Sequence, residues 1–419
     1  MFRLATIIVL TLGIVCTAEA AVSEAGDINN SGAVDATDVQ LVTNAALGLI
    51  TNANANLDHA GGITASDVQL CINAALGTVI DADGDGLSDL AELNLLTDPS
   101  EPDTDNDTIS DGEEVAANTD PGIVTDFPSV GVNACLNGRL PFPTDNPWNT
   151  AIDGEDVDPN SDAIIDSIGR GDDFHPDFGA NWNGGPFGIP YIVVDPGSPK
   201  ISLEFLYDDQ SDVGPYPMPA NAPIEGGANA GGDRHVLIVD RMNWVLYELF
   251  NYYPPSGPGE PHTAGSGAIF DLRSNALRPE GWTSADAAGL PIFPGLVRYD
   301  EVYEQGEIKH ALRFTVSESR RAYIHPATHF ASDATDANLP PMGMRVRLKA
   351  GFVIDGFSEP NKVILRALKK YGMIVADNGS DWYVSGAPDA RWDDEVLNEL
   401  KTLTGDNFEV VKMGTIITD

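Results

Sequence analysis

Two rhythms of apolar and polar positions divide the chain. Near the start, DVQLVTNAALG (38–48) and DVQLCINAALG (67–77) repeat twenty-nine residues apart (67 − 38). Val39, Leu41, Val42, Ala45 and Leu47 gather on one side at helical spacing, and Gly48 closes the run. This predicts two short helices, each behind a polar loop. From about Asn133 the pattern becomes short apolar runs punctuated by proline and glycine. HVLIVD (235–240) and WVLYELF (244–250), joined by Arg241-Met242-Asn243, predict an antiparallel hairpin. IPYIVVD, ISLEFLY, AIFDL, IKHALRFTV and MRVRLKA predict further strands. VILRALKKYG (363–372) and DDEVLNELKTL (393–403) predict helices. The expected fold is multidomain: a small α module, then a mainly antiparallel, sandwich-like β domain with α/β additions at the C-terminus.

Charge sharpens this division. The 419 residues carry a net charge of −41, and no Lys or Arg occurs between Arg3 and Arg139. A compact segment of that composition repels itself unless cations neutralise it. So acidic a chain is a poor partner for nucleic acid. Residues 1–20 read as a secretory signal: Arg3, an apolar core, then Ala18-Glu19-Ala20 before Ala21. Val15 before Cys16 argues against a lipid anchor. No later stretch is long and apolar enough to span a bilayer. The expected location is secreted, extracellular or at a bacterial-type cell surface. Cys71 and Cys135 either form one disulfide outside the cell, or Cys71 is a small buried residue on its helix.

The acidic residues are spaced as metal ligands. DADGDGLSDLAE puts Asp81, Asp83, Asp85, Gly86, Asp89 and Glu92 at positions 1, 3, 5, 6, 9 and 12, with the Leu87 carbonyl at position 7. A calcium ion takes about 6–8 oxygens, and a twelve-residue loop supplies them in this order. DTDNDTISDGEE repeats the frame with Asp103, Asp105, Asp107, the Ile109 carbonyl, Asp111 and Glu114, although Thr108 replaces the glycine. DINNSGAVDATD gives Asp27, Asn29, Ser31, Gly32, Asp35 and Asp38. NLDHAGGITASD keeps Asn56, Asp58, Gly61, Thr64 and Asp67 but has the non-ligating Ala60 at position 5. Calcium is therefore the expected cofactor, and folding of this region should depend on it.

On the duplicated loop and helix, residues 24–78 resemble the dockerin module of polysaccharide-degrading complexes. That resemblance implies an extracellular polysaccharide as target and a cohesin-like protein as partner. Ala36-Thr37 and Ala65-Ser66 occupy its partner-selecting loop positions, but the basic residues of its helix are replaced by Thr43-Asn44 and Ile72-Asn73. Residues 81–121, with the tags Thr97-Asp98-Pro99 and Thr119-Asp120-Pro121, resemble thrombospondin type 3 repeats, which implies a calcium-stiffened spacer over 79–130. Residues 131–419 form the β-rich domain and resemble no family of known activity.

Candidate chemistry in that domain rests on residue type. Glu248 shares a strand face with Trp244, Leu246 and Phe250, where a carboxylate is costly unless paired or functional. Asp240, Asp271 and Asp300 are further carboxylates on strands. Glycosidases need one protonated and one ionised carboxyl group. His310 alternates with Ile308, Leu312 and Phe314. His325 and His329 stand four apart and either hold a metal ion or pack. Arg345, Arg347 and Lys349 alternate on one face, either to grip an acidic polymer or to meet solvent and neighbouring acids. Glu248, Asp271, His310, Arg313 and His325 are the catalytic candidates for a glycoside hydrolase or polysaccharide lyase. The alternative is a noncatalytic surface or matrix protein that binds glycan or protein.

Overall fold

The computed structural model describes residues 27–31, 33–57, 62–76, 80–105, 110–117, 120–122, 128–182 and 185–418. The expected signal segment, Gly32, Asp58, Ala60, Gly61, Asp107, Thr108 and Ile109 lie outside them. The chain forms two compact units, Met1–Val115 and Ala116–Asp419.

In the first unit, helices Ala36–Ala46 and Ala65–Ala75 pack on each other. Both start two residues before the expected position, because Asp35 and Thr64 act as N-caps. Each is completed by a capping box in which Asp38 or Asp67 reaches back to the cap's own N–H. Ile28, Val42, Ala45, Ala55, Leu57, Cys71 and Leu93 make a small core. Leu93 comes from Asp89–Leu95, the helix that follows the first acidic loop. Cys71 is buried there, on its helix, and Cys135 is partly buried in the second unit.

The second unit is mainly β. A five-stranded sheet runs in the order Gly131–Val132, Tyr191–Val194, Val236–Asp240, Val245–Phe250, Ser266–Asp271. The expected hairpin is its centre, with Glu248 opposite Leu237 and Ala268. A six-stranded sheet runs Phe408–Val410, Arg345–Leu348, Met373–Asn378, Leu312–Val316, Tyr383–Ser385, His175–Asp177. Most pairings are antiparallel, while Tyr191–Val194 with Val236–Asp240 and Leu312–Val316 with Met373–Asn378 are parallel. The period of two assigns the faces. Val193, Leu237, Val239 and Leu246 join the main core with Phe314, Val346 and Val375 of the other sheet. Ile192, Val194, Ile238 and Leu249 face a second apolar cluster around Tyr216. Helix Glu359–Lys370 buries Val363, Ile364, Leu365 and Leu368 in the main core.

Three strand expectations are corrected. ISLEFLY splits into Lys200–Ile201 and Leu203–Phe205. The strand expected from Ile308 starts at Leu312, so His310 is buried in the approach to it. The cationic row of MRVRLKA meets neighbouring acids as expected, but only Lys349, 3.9 Å from Asp406, keeps an exposed side chain. Arg347 is buried, bonds the Ile152 carbonyl and pairs with Glu409 at 2.8 Å, and Arg345 donates to the Tyr371 carbonyl at 2.7 Å.

Candidate functional site

The acidic loops build one linked set of carboxylates. Asp81 accepts from the N–H groups of Gly84 (2.7 Å) and Gly86 (3.2 Å), which curls the loop around it. Gly86 takes φ +100°, a conformation that suits glycine. Ligand oxygens of Asp81, Asp83 and Asp85 lie within 4.8 Å of one another, and so do those of Asp85, Glu92 and Asp111. Asp85 therefore belongs to both groups, and the second group spans both repeats. Asp85 also accepts from Gly112 N–H at 2.7 Å, at the start of the next repeat's helix. There the backbone is so close that a side chain on Gly112 would strike the Asp85 carbonyl.

Glu92 is fully buried, and neither of its carboxylate oxygens has a hydrogen-bond partner; the same holds for Asp83 Oδ2. Burial, followed by repulsion from Asp83, Asp85, Asp89 and Asp111, pushes the Glu92 carboxyl up to about 7. A buried carboxylate without donors is costly unless a cation replaces water. The oxygen-only donor set fits a hard divalent ion such as calcium. Asp111 already takes Thr104 N–H and Oγ–H at 2.9 and 2.6 Å, which aims it into the group.

The earlier loop is arranged differently. Asp38 is buried but accepts from Asn29 N–H (3.1 Å) and Asp35 N–H (3.0 Å). Asp27 accepts from Ser31 N–H at 2.9 Å, and Asp35 caps its helix through Thr37 N–H at 2.6 Å. Asp67 takes the N–H groups of Leu57 and Thr64, both at 2.6 Å.

The five catalytic candidates are not gathered into one constellation. Glu248 is buried on the expected face, but backbone amides hold it. Ile292 N–H reaches its two oxygens at 2.9 and 3.0 Å, and Phe293 N–H reaches one at 2.9 Å. Burial raises its carboxyl to about 7 despite those bonds. Asp271 is exposed and pairs with Arg273 at 3.0 Å. His310 is buried between the Ala311 carbonyl (2.8 Å) and Glu301 (3.1 Å), within a group that includes the Arg298–Glu301 pair at 2.5 Å. His325 is half exposed against Glu280 at 2.6 Å, and Glu280 also accepts from Tyr323. His329 meets the Ala287 carbonyl at 2.9 Å, away from any shared ligand set with His325 among the described residues.

Arg313 is the exception. Its guanidinium is buried and holds Asp286 by two bonds, at 2.7 and 2.8 Å. It also donates to Ser385 Oγ at 2.6 Å and lies 3.4 Å from Asp377. Ser385 is opposite Asp177 in the parallel ladder. Glu225 accepts from buried His235 at 2.7 Å, and the other nitrogen of that ring faces the Ala285 carbonyl at 3.1 Å. Burial disfavours the His235 cation, but Glu225 outweighs it and raises the ring to about 9. Burial also pushes the Glu225 carboxyl up, yet His235 holds it below the ordinary carboxylate range. Asp377 is raised to about 7 by burial and by Asp286, against the pull of Arg313. Asp177 is raised by burial and then by Glu225, again against Arg313. Sequence reasoning missed Asp177, Glu225, His235, Asp286 and Asp377. They come from five separate segments and share no motif.

The second unit also has a cavity of about 610 Å³, lined by Ala180, Pro186, Pro190, Pro223 and Pro388 among others. Glu225 stands in the chain between two more of its lining residues, Ile224 and Gly226. Trp182, 66 % exposed, ends the strand that carries Ala180.

No curated protein and no solved structure matches the chain. Among the described residues, no helix is long and apolar enough to cross a membrane. Residues 81–102 and 103–121 each match the family model described as bacterial TSP3 repeat, a calcium-binding type typical of extracellular proteins, and they contain the linked carboxylate groups.

Proposed function

We propose that this is an extracellular modular protein in which calcium braces the two acidic repeats, and a β-rich domain acts on extracellular polysaccharide. The observation that carries the calcium part is Glu92, buried beside Asp85 and Asp111 with both oxygens lacking a donor. Asp85, Glu92 and Asp111 would hold one ion, and Asp81, Asp83 and Asp85 another. Calcium would supply positive charge that offsets their repulsion. Calorimetry on the full chain tests this. Uptake of calcium that is abolished by Glu92→Gln together with Asp85→Asn is the expected result. No uptake by the wild type would overturn it.

The polysaccharide part draws on the proline-walled cavity and on Trp182, whose exposed flat ring suits a sugar face. The test is incubation of the full chain with a polysaccharide panel, scoring both binding and chain cleavage. Absence of both sinks the reading, and binding alone favours the noncatalytic alternative.

A further inference from the structure

The cavity of about 610 Å³ has the size of a small-ligand site, and its wall is defined by what it lacks. Its lining has four prolines, four alanines, Val132 and Ile224, and no aromatic or basic residue among the described residues. Asn133 and Asp389 are its polar side chains. Both are engaged within the protein. Asn133 donates to the Pro388 carbonyl at 2.7 Å and accepts from Tyr191 N–H at 3.0 Å. Arg391 donates to both oxygens of Asp389, at 2.9 and 2.7 Å, and the Asp389 side chain is only 13 % exposed. A charged group, or one rich in hydroxyls, would lose water here with few side-chain partners in return. An uncharged apolar group has little to lose and gains by burying its surface.

The wall is also held in place. Gly226 and Gly227 take φ +69° and +94°, a path open to glycine that would by itself leave the segment loose. Two residues of a later segment fix it. Buried Arg234 donates to the carbonyls of Ala228 at 3.0 Å and Ala230 at 2.8 Å, and His235 holds Glu225 at 2.7 Å. Gly188, elsewhere in the lining, packs so tightly that a side chain there would strike the Gly386 carbonyl. A cavity fixed in this way asks little ordering of the protein when a ligand enters.

Trp182 belongs to the same piece of backbone. Ala180 and Pro186 lie on the paired strands Gly179–Trp182 and Gly185–Phe187, and both line the cavity. Trp182 follows Ala180 by two residues, about 7 Å along the strand. Its exposed ring lies 6.1 Å from that of Phe187. A sugar stacked on Trp182 therefore stands within reach of the cavity for a group that it carries.

We propose that the cavity receives an uncharged aromatic group borne on a polysaccharide, so that the second unit selects aryl-decorated chains over bare ones. This rests on the polysaccharide reading above and names its substrate class. Proline rings present C–H groups, which suit the negative face of an aromatic ring. A flat rigid ring also loses less freedom on entry than a flexible aliphatic chain. The lining has no cation to pair with an acid, and the Asp389 carboxylate disfavours one.

The test is calorimetry on the full chain in calcium. The probes are methyl ferulate, the ferulate anion, methyl hexanoate, and feruloylated arabinoxylan before and after mild alkali has removed its esters. Methyl ferulate should bind saturably, and the anion and the hexanoate at least about tenfold more weakly. The feruloylated polymer should bind at least about tenfold more tightly than the bare one. Trp182→Ala should weaken both polymers. Ala390→Trp, at an exposed lining position without a positive φ, should fill the cavity and abolish both methyl ferulate binding and the polymer preference. If that variant fails to fold, Ala228→Trp, at a second such position, decides. Methyl hexanoate binding as tightly as methyl ferulate, or methyl ferulate binding that survives a folded filled variant, overturns the inference. No saturable binding of methyl ferulate, or equal affinity for the two polymers, overturns it as well, and bare-polymer binding then spares the polysaccharide reading. Binding of neither polymer overturns both. N-acetyltyrosinamide binding more tightly than methyl ferulate, with no polymer bound, would assign the cavity to an aromatic side chain of a protein instead.

Discussion

The two compact units stand by different means. The second encloses an extensive apolar core between its sheets, and many of its buried charges meet an opposite charge, as at Arg313–Asp286 and Arg347–Glu409. The first has seven buried apolar side chains among its described residues and no cation in its sequence after the signal segment. Its buried groups are instead carboxylates, Asp38, Asp67, Glu92, Asp111 and Glu114 among them. Where apolar burial is scarce, stability has to come from what the carboxylates bind. The same residue type thus has opposite meanings in the two units. Glu248 is a buried acid satisfied by the chain, and Glu92 is a buried acid that the chain leaves unsatisfied.

The sharpest way to break this contrast is to remove the metal. Chelation with EDTA should raise hydrogen exchange and protease cleavage across 81–115 and leave 131–418 protected. Equal protection with and without calcium would mean the units do not differ in this respect. A smaller effect is expected from within the second unit. Glu248→Ala leaves the N–H groups of Ile292 and Phe293 without acceptors and should cost about 1–3 kcal/mol of stability. Glu248→Gln keeps an acceptor oxygen and should cost less. Denaturant titration of the second unit's transition in the full chain reads both, and equal losses would refute the acceptor role.

Next in size is a pH effect. The folded Glu92 carboxyl lies near 7 against an ordinary 4.5, so the metal-free folded state binds a proton that the unfolded chain has released. Stability of the metal-free first unit should therefore fall as pH rises from about 4.5 to about 7. Saturating calcium, which needs the ionised form, should weaken or reverse that slope. Thermal melts at pH 5 and pH 8 with and without calcium would reveal it, and a rise in metal-free stability with pH would contradict the assignment. The smallest effect is at the surface. Arg170 pairs with Asp162, Asp166 and Asp406, all exposed. Arg170→Ala should lower the second unit's denaturation midpoint only slightly, and less still in high salt. A larger loss would mean that the second unit also leans on charge.

Local patterns were legible in the sequence wherever a short stretch determines the outcome. The hairpin 235–250, the face carrying Glu248, the duplicated helices and the helix before Gly372 follow from period and turn chemistry. The acidic clusters of the two repeats follow from the spacing of their carboxylates. The sharing of Asp85 between two ligand groups was not legible, because Asp111 enters from the next repeat, twenty-six residues on (111 − 85). Nor was the Arg313 set. Asp177 meets Ser385 through a parallel ladder between distant strands, and Glu225 meets His235 across a glycine-rich loop. Glu248 was singled out for being costly on an apolar face. What satisfies it there, the N–H groups of Ile292 and Phe293, was not legible, because amides leave no trace in residue identity.

The capping boxes at Asp35–Asp38 and Thr64–Asp67 have a consequence for how calcium starvation proceeds. Both helices begin on carboxylates that main-chain donors already quiet, so their first turns are stapled without help from an ion. Depletion should spare them longest and undo the chain first in its interior, around Glu92, so that the ion-hungry stretch gives way between two better-anchored pieces.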